Sequence, residues 1–324
     1  VKRVVVTGGC GFIGSNLIRH LLQSTDYVVI CVDRLSYSGN PENIAEFKSN
    51  PRFEFVQADI GDIVAMDGVI SHADGVINLA AETHVDRSID DADDFLKTNI
   101  LGAETLVRLA KKYGIKRFLH MSTDEVYGSI RTGKFNENSP IEPNSPYSAS
   151  KAAADLLMRA YRETYHYPVL ITRCTNNYGP YQYPEKVIPL FVTNLLSGKK
   201  VPLYGDGQNR RDWIHVEDAV RALHLVFENG ILGEVYNIGS DNELSNLELT
   251  VAILKNMGFG DERIEYVADR PGHDFRYALD FSKVRSLGFS PRYNVQDGLK
   301  QTIEWYKSHE NWWKPLKQNK YTNK

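Results

Sequence analysis

Cysteine is scarce in this chain: Cys10, Cys31 and Cys174 are three scattered residues among 324. An odd number without a C-x-x-C or His-Cys spacing excludes a disulfide framework and a zinc site, and makes a reducing cytoplasm the expectation. Charge of one sign is lacking too. Thirty-eight Lys and Arg stand against 41 Asp and Glu, a formal net charge of -3, so no field draws the chain to nucleic acid or to a membrane surface. No stretch reaches the roughly 18 apolar residues of a membrane span. The opening strand "KRVVVTGG" has no charged leader and no small-residue cleavage site, so no signal peptide is expected. Repeats, low-complexity tracts and long polar linkers are missing, and only the tail "KQNKYTNK" (317–324) reads as loosely held. The length suits one large soluble domain or two of ordinary size.

What is present is alternation. The apolar runs "VVVTGG", "VVICVD", "FEFVQADI", "GVINLAA", "RFLHMST" and "VLITRC" read as strands buried on both faces. Between them, "FIGSNLIRHLLQ" and "AETLVRLAKKYG" carry apolar stripes at helical period, the second ending at Gly114. Parallel neighbours need right-handed crossovers, so the expected fold is α/β: a doubly wound, parallel Rossmann-type sheet with helices on both faces. After "NNYGPYQYPEK" the regularity lapses, and proline, glycine and tyrosine crowd 178–212. "VEDAVRALHLVFENG" then reads as a helix and "EVYNIG" as a strand. We therefore expect a dinucleotide-binding domain over 1–177, a return of the chain to it around 212–240, and a smaller mixed α/β domain over 178–324.

"TGGCGFIGS" sets Gly8, Gly11 and Gly14 three apart between a strand and a helix. A side chain at such positions blocks the tight turn, the approach of backbone N–H groups to a pyrophosphate, and close helix packing. Asp33 ends the next strand about 20 residues beyond the last glycine, where a carboxylate accepts hydrogen bonds from a ribose. Its charge repels a 2'-phosphate, which favours NAD over NADP, although Arg34 beside it softens the repulsion. Asp59 reaches an adenine edge or caps the next helix.

Tyr147 and Lys151 in "YSASK" stand one helical turn apart and share a face. A free tyrosine titrates near ~10, too high for a base at neutral pH, and a neighbouring ammonium lowers it. Upstream, "STDEVYG" places a hydroxyl, Thr123, against two adjacent acids, Asp124 and Glu125. Two carboxyls crowded in a poorly solvated site tend toward one protonated and one ionised. Lys186, Arg211, Arg270 and His273 are cations or donors suited to a diphosphate or a base.

These motifs, with "AAETHVDRSI", "RCTNNYGPYQYPEKVIP", "YGDGQNRRDWIHVED" and "DRPGHDFRYALD", make the sequence similar to the extended short-chain dehydrogenases/reductases over almost its whole length. Among them it resembles the dTDP-glucose 4,6-dehydratases. The glycine turn and Tyr-x-x-x-Lys mark only the superfamily; "STDEVYG" and "RPGHDxRYA" are narrower. The resemblance implies an NAD-dependent lyase acting on a nucleotide-diphosphate hexose. Tyr147 would take the 4-hydroxyl proton, with Thr123 holding that hydroxyl and Lys151 supporting the phenolate. Glu125 would remove the C5 proton and Asp124 would protonate the leaving C6 hydroxyl. The implied cofactor site adds Phe12, Ile13, Leu35, Ser36, Ile60, Leu79, Ala80, Ala81, Thr98 and Asn177 to the residues above. The implied substrate site, mostly in the second domain, adds Val187, Pro202, Tyr204, Asn246 and Tyr277, with Thr83 and Asn176 from the first. Departures from the pattern are Cys10 for a small alanine, Arg210 for an aliphatic residue, and Phe275 where arginine is expected. The last two touch the expected nucleotide side and leave thymine and uracil both open. A UDP-sugar dehydratase, a nucleotide-sugar 4-epimerase and a non-catalytic NAD-binding regulator are the alternatives. No metal, nucleic acid or membrane partner is expected. The helices "ILGAETLVRLAKKY" and "YSASKAAADLLMRAYRETY" carry apolar residues on more than one face, which predicts a homodimer.

Overall fold

The computed structural model describes residues 2–318, so the tail beyond Gln318 lies outside the described residues. The chain opens with β1 (Arg3–Thr7), α1 (Phe12–Ser24), β2 (Val28–Asp33), β3 (Phe53–Gln57), α2 (Ile63–Ile70) and β4 (Gly75–Asn78). Next come α3 (Val85–Asp90), α4 (Asp93–Phe95) and α5 (Ala103–Lys112), the last two joined by a π-helical stretch over Leu96–Gly102. Then follow β5 (Arg117–Thr123), α6 (Pro146–Tyr165), β6 (Val169–Cys174) and β7 (Asn176–Tyr178). The remainder comprises α7 (Val187–Leu196), β8 (Val201–Tyr204), β9 (Arg210–His215), α8 (Val216–Asn229), β10 (Val235–Ile238), β11 (Glu243–Ser245) and α9 (Asn246–Met257). It closes with β12 (Ile264–Val267), α10 (Ser282–Ser286), α11 (Val295–Ser308) and α12 (Glu310–Lys317).

Seven strands form one parallel sheet in the order β10-β6-β5-β4-β1-β2-β3. The order reverses beside β1, so the loops after β1 and β4 part there and leave a crevice at the carboxyl ends of the strands. The runs of β1, β2, β4 and β6 are buried as expected. β3 departs from that expectation: it is the edge strand, and Phe55 is 38% exposed. An edge has a neighbour on one side only, so its run covers the last ladder and is not enclosed by two.

One apolar cluster fills each face of the sheet. Leu17, Leu21, Leu223 and Phe227, from α1 and α8, pack on one face. Leu106, Ala110, Ala154 and Met158, from α5 and α6, pack on the other. α8 and β10 belong to residues 212–240, and both contribute here, β10 as the sheet's last strand. A third cluster, with Phe191, Trp213, Leu299 and Trp313, lies among α7, β9, α11 and α12. Its strands are the three-stranded β11-β9-β7 and the parallel pair β12-β8. The segment expected to be irregular, 178–212, contains α7 and β8. α7 reads "VIPLFVTNLL", apolar around most of its circumference, so it lacks the amphipathic stripe that announces a surface helix.

Candidate active site

β5 ends at Thr123, and the chain enters a single 3₁₀ turn over Asp124–Tyr127. The Thr123 hydroxyl oxygen accepts the Glu125 N–H at 3.2 Å, and the same hydroxyl donates to Asp124 Oδ1 at 3.2 Å. That fixes two adjacent acids at the carboxyl end of a central strand. Asp124 is 2% exposed, and its Oδ2 is buried without a hydrogen-bond partner. Burial first, and the charge of Glu125 second, push its carboxyl up to about 7, against the lowering effect of Thr175, Arg211 and Thr123. Glu125 opens into a cleft. Burial raises it as well, while Arg270, Arg211 and Lys186 across the cleft favour its charged form. The pair is thus built to hold one proton between two different surroundings.

Facing it is the start of α6. Ser145 caps this helix, its hydroxyl accepting the Ser148 N–H while the Ser148 hydroxyl accepts the Ser145 N–H, and Pro146 occupies the first turn. This cap fixes the direction in which Tyr147 and Lys151 leave the helix. Burial and then the Glu125 charge raise the Tyr147 phenol, and a hydrogen bond with Thr123 opposes them. Burial lowers the Lys151 ammonium to about 8, against the pull of Asp155. Among the described residues the hydrogen bond of Lys151 does not go to the Tyr147 phenol. Lys151 Nζ donates instead to the Met121 carbonyl at 2.7 Å, so the ammonium is directed to the floor of the sheet.

The crevice beside β1 encloses about 970 Å³, counting its open mouth. Gly8, Gly11, Phe12, Ile13, Gly14, Asp33, Arg34, Ser36, Asp59, Ile60, Leu79, Ala80, Ala81 and Thr98 line it, as expected. Four expected cofactor residues do not. Leu35, at φ +59°, packs onto the apolar cluster beneath. Asn177 Nδ2 donates to the Thr175 carbonyl at 2.8 Å and to Cys174 Sγ at 3.2 Å. Tyr147 and Lys151 are buried, Tyr147 against Thr123 and Lys151 on the Met121 carbonyl. Glu82, Gln182, Tyr183 and Glu185 line the crevice unforeseen; Glu82 lies in "AAETHVDRSI" and the other three in "RCTNNYGPYQYPEKVIP", so the motifs held them without singling them out.

A dinucleotide fits this crevice. Gly8 sits at φ +68°, and a Cβ there would lie 2.8 Å from Ala80 N. A Cβ on Gly14 would lie 2.1 Å from Gly8 O. α1 begins without a side-chain cap and without an acid in its first turn, which leaves its leading N–H groups for an anion. Asp33 is held at the end of β2 by the N–H groups of Leu35 (2.8 Å) and Cys10 (3.0 Å). Arg34 beside it acts on the Asp33 charge and also binds Asp59 (3.0 Å) and Glu82 (2.6 Å). Asp59 is not the helix cap; Asp62 caps α2, accepting from Val64 and Ala65.

A second cleft, about 1020 Å³ with its mouth, adjoins the first. Thr83, Asn176, Lys186, Val187, Pro202, Tyr204, Arg211, Asn246, Arg270, His273 and Tyr277 line it together with Glu125, while Thr123, two residues before Glu125 and 8% exposed, is not among the lining residues. Thr83, Glu185 and Lys186 line both clefts and form their shared wall, with Lys186 Nζ donating to the Thr83 carbonyl at 2.8 Å. At the far end Asp86 gathers Arg270 and Tyr204, each at 3.2 Å. Asp86 was not anticipated; only its place in "THVDRSI" hinted at it. The two departures expected on the nucleotide side lie elsewhere. Arg210 is bound to Glu243 at 2.6 Å and Glu248 at 3.3 Å, and Phe275 packs under Arg131. Neither lines the cleft. β9 explains the first: alternate residues point to opposite faces, so Arg211 faces the cleft and Arg210 faces away. Cys10 is fully buried, as a small filler.

Residues 5–302 match the family model described as GDP-mannose 4,6 dehydratase. A dTDP-glucose 4,6-dehydratase of Streptomyces niveus is 51% identical over 97% of this chain and 96% of its own length. The structure of DesIV, a dTDP-glucose 4,6-dehydratase from Streptomyces venezuelae solved with NAD and dTDP, superposes with a TM-score of 0.95 at 50% identity, covering 97% of this chain and 99% of that one. UDP-glucose 4-epimerase of Thermotoga maritima is more distant, with a TM-score of 0.87 at 32% identity over 94% of this chain and 99% of its own. With two clefts sharing a wall and with likeness to these enzymes along nearly its full length, the chain belongs to the GDP-mannose 4,6 dehydratase family.

Proposed function

We propose that this chain catalyses the NAD-dependent dehydration of a nucleotide-diphosphate hexose, dTDP-glucose to dTDP-4-keto-6-deoxyglucose. The observation that carries this reading is the acid pair: Asp124, whose carboxyl keeps its proton up to about 7, beside Glu125, which faces three cations in the second cleft. An epimerase moves hydrogen at C4 alone and has no task for such a pair.

When bound in the crevice beside β1, the nicotinamide takes a hydride from C4 and later returns it to C6, and its positive ring adds a charge that favours the Tyr147 phenolate. Tyr147 accepts the proton of the 4-hydroxyl, and Thr123 keeps phenol and hydroxyl in register. Oxidation at C4 acidifies C5. Glu125 then takes the C5 proton while Asp124 gives its own to the C6 hydroxyl, which leaves as water. Glu125 exchanges the C5 proton with solvent and returns a solvent proton to C5 as C6 is reduced, while the 4-hydroxyl proton held by Tyr147 is released and Asp124 is reprotonated from solvent, so the net change is the loss of water. Arg270, Arg211 and Lys186 offer the diphosphate three cations away from the reacting carbons, where binding energy holds the ring in place.

Residues 1–177, with the return over 212–240, form the cofactor-holding part in this reading, and 178–324 the nucleotide-sugar part. The working assembly is a homodimer in the cytoplasm. Leu101 and Leu156, 62% and 53% exposed on the stretch leading into α5 and on α6, support the dimer, since their pairing across a two-fold axis would cover them. Among the described residues no helix is long and apolar enough to cross a membrane. Turnover of dTDP-glucose beside UDP-glucose tests the substrate assignment. A 4-keto-6-deoxy product from the dTDP sugar is expected; conversion of the UDP sugar alone would reassign the base, and a galactose product would make the chain an epimerase.

A further inference from the structure

The catalytic groups named above stand on two separate elements. Tyr147 and Lys151 lie on α6, whereas Asp124 and Glu125 lie on the turn after β5. Both elements meet at one buried guanidinium. Arg173 on β6 donates through Nε to Asp155 Oδ2 at 2.8 Å, and through an Nη to the Tyr127 hydroxyl at 2.8 Å. Asp155 stands one turn beyond Lys151 on the same face of α6, and Tyr127 ends the turn that bears the acids. The Tyr127 hydroxyl in turn donates to Asn237 Oδ1 at 2.8 Å, and Asn237 is the ladder partner of Arg173 across β10 and β6. Side-chain exposure is 6% for Arg173 and nil for Asp155.

A buried ion pair is weak evidence for stability, because desolvation offsets most of its attraction. Directional bonds from one planar fork to two elements, by contrast, set a distance. Resting on the reaction proposed above, we infer that Arg173 is a positioning residue, which fixes the Tyr147–Lys151 pair of α6 against the Asp124–Glu125 pair by binding Asp155 on one side and Tyr127 on the other. Asp155 has a second task in the same place, since its charge opposes the lowering of the Lys151 ammonium by burial.

Removing Arg173 itself would leave Asp155 charged and buried, and the fold would suffer. The test therefore uses Tyr127→Phe, which deletes only the hydroxyl, Asp155→Asn, which keeps the shape, and the double variant. Each single change is expected to lower kcat roughly tenfold while KM stays within about twofold, because placement at the reacting carbon is lost and remote binding is not. Loss of the C5 proton to solvent should slow more than oxidation at C4, so reduced nicotinamide accumulates in a single turnover. The double variant should lose little more than the worse single one, since either change already breaks the link. Independent, multiplying effects, equal slowing of both half-reactions, or rates that follow only a lowered melting temperature would each overturn the inference. The wild-type protein, measured alongside, separates the two claims. If it shows no C5 exchange with any sugar nucleotide, the functional reading fails and takes this inference with it. If it does exchange while the variants match it, only the positioning role is lost.

Discussion

Asp124 and Glu125 are adjacent in the chain yet live in unlike surroundings, and the chemistry follows from that difference. Asp124 is sealed against Thr123 with one oxygen unpartnered; Glu125 looks into a cleft ringed by cations. Elimination needs the Asp124 proton, so kcat/KM should fall as pH rises through about 7. Stability should respond in the same window. The folded carboxyl lies above its ordinary value near ~4, so the stability this group contributes is fully present below that value and is lost as pH rises through about 7. In Asp124→Asn the alkaline limb of the rate and this part of the pH-dependent melting should both vanish, with kcat reduced roughly a hundredfold or more; an unchanged limb would remove Asp124 from its role. Glu125→Gln should still oxidise C4 but stop C5 exchange, which solvent deuterium uptake would detect. Residue types were legible at this scale, and partners were not. The Tyr-x-x-x-Lys spacing says that two side chains share a face, but not that the ammonium goes to the Met121 carbonyl of another element. In the same way "NRRDW" does not disclose that Glu243 and Glu248, more than thirty residues on, bind Arg210.

The elements translate sequence into placement. The cap of α6 sets the angle at which Tyr147 meets Thr123, so Ser145→Ala should cost about 1 kcal/mol of stability, read by denaturant unfolding, and should lower kcat more than it raises KM. A variant that loses neither would show the helix start to be held by other contacts. The glycine turn was legible because the need for it is local: positions where a Cβ would strike backbone admit no other residue. All seven strands of the large sheet and α1, α5, α6 and α8 were legible from period and length. α7 was not, since a helix buried on most sides has no period to read. The edge position of β3 was hidden as well, because strand order is a property of the sheet and not of any one run.

At the scale of the molecule, two clefts share the wall of Thr83, Glu185 and Lys186, and Glu125 lines the second of them. A sugar can reach both the crevice beside β1 and the cationic end at Arg270 only by lying across that wall. Leu101 and Leu156 line neither cleft, so in the proposed homodimer Leu101→Asp with Leu156→Asp should give a monomer by sedimentation; a variant that stays dimeric would place the interface elsewhere. The central claim is that one hydride leaves C4 and comes back at C6 of the same sugar while water is lost between them. Incubation with dTDP-glucose carrying deuterium at C4 tests it most directly. The account predicts the deuterium in the C6 methyl group and a solvent proton at C5. Deuterium retained at C4, or lost to solvent without reaching C6, would contradict it.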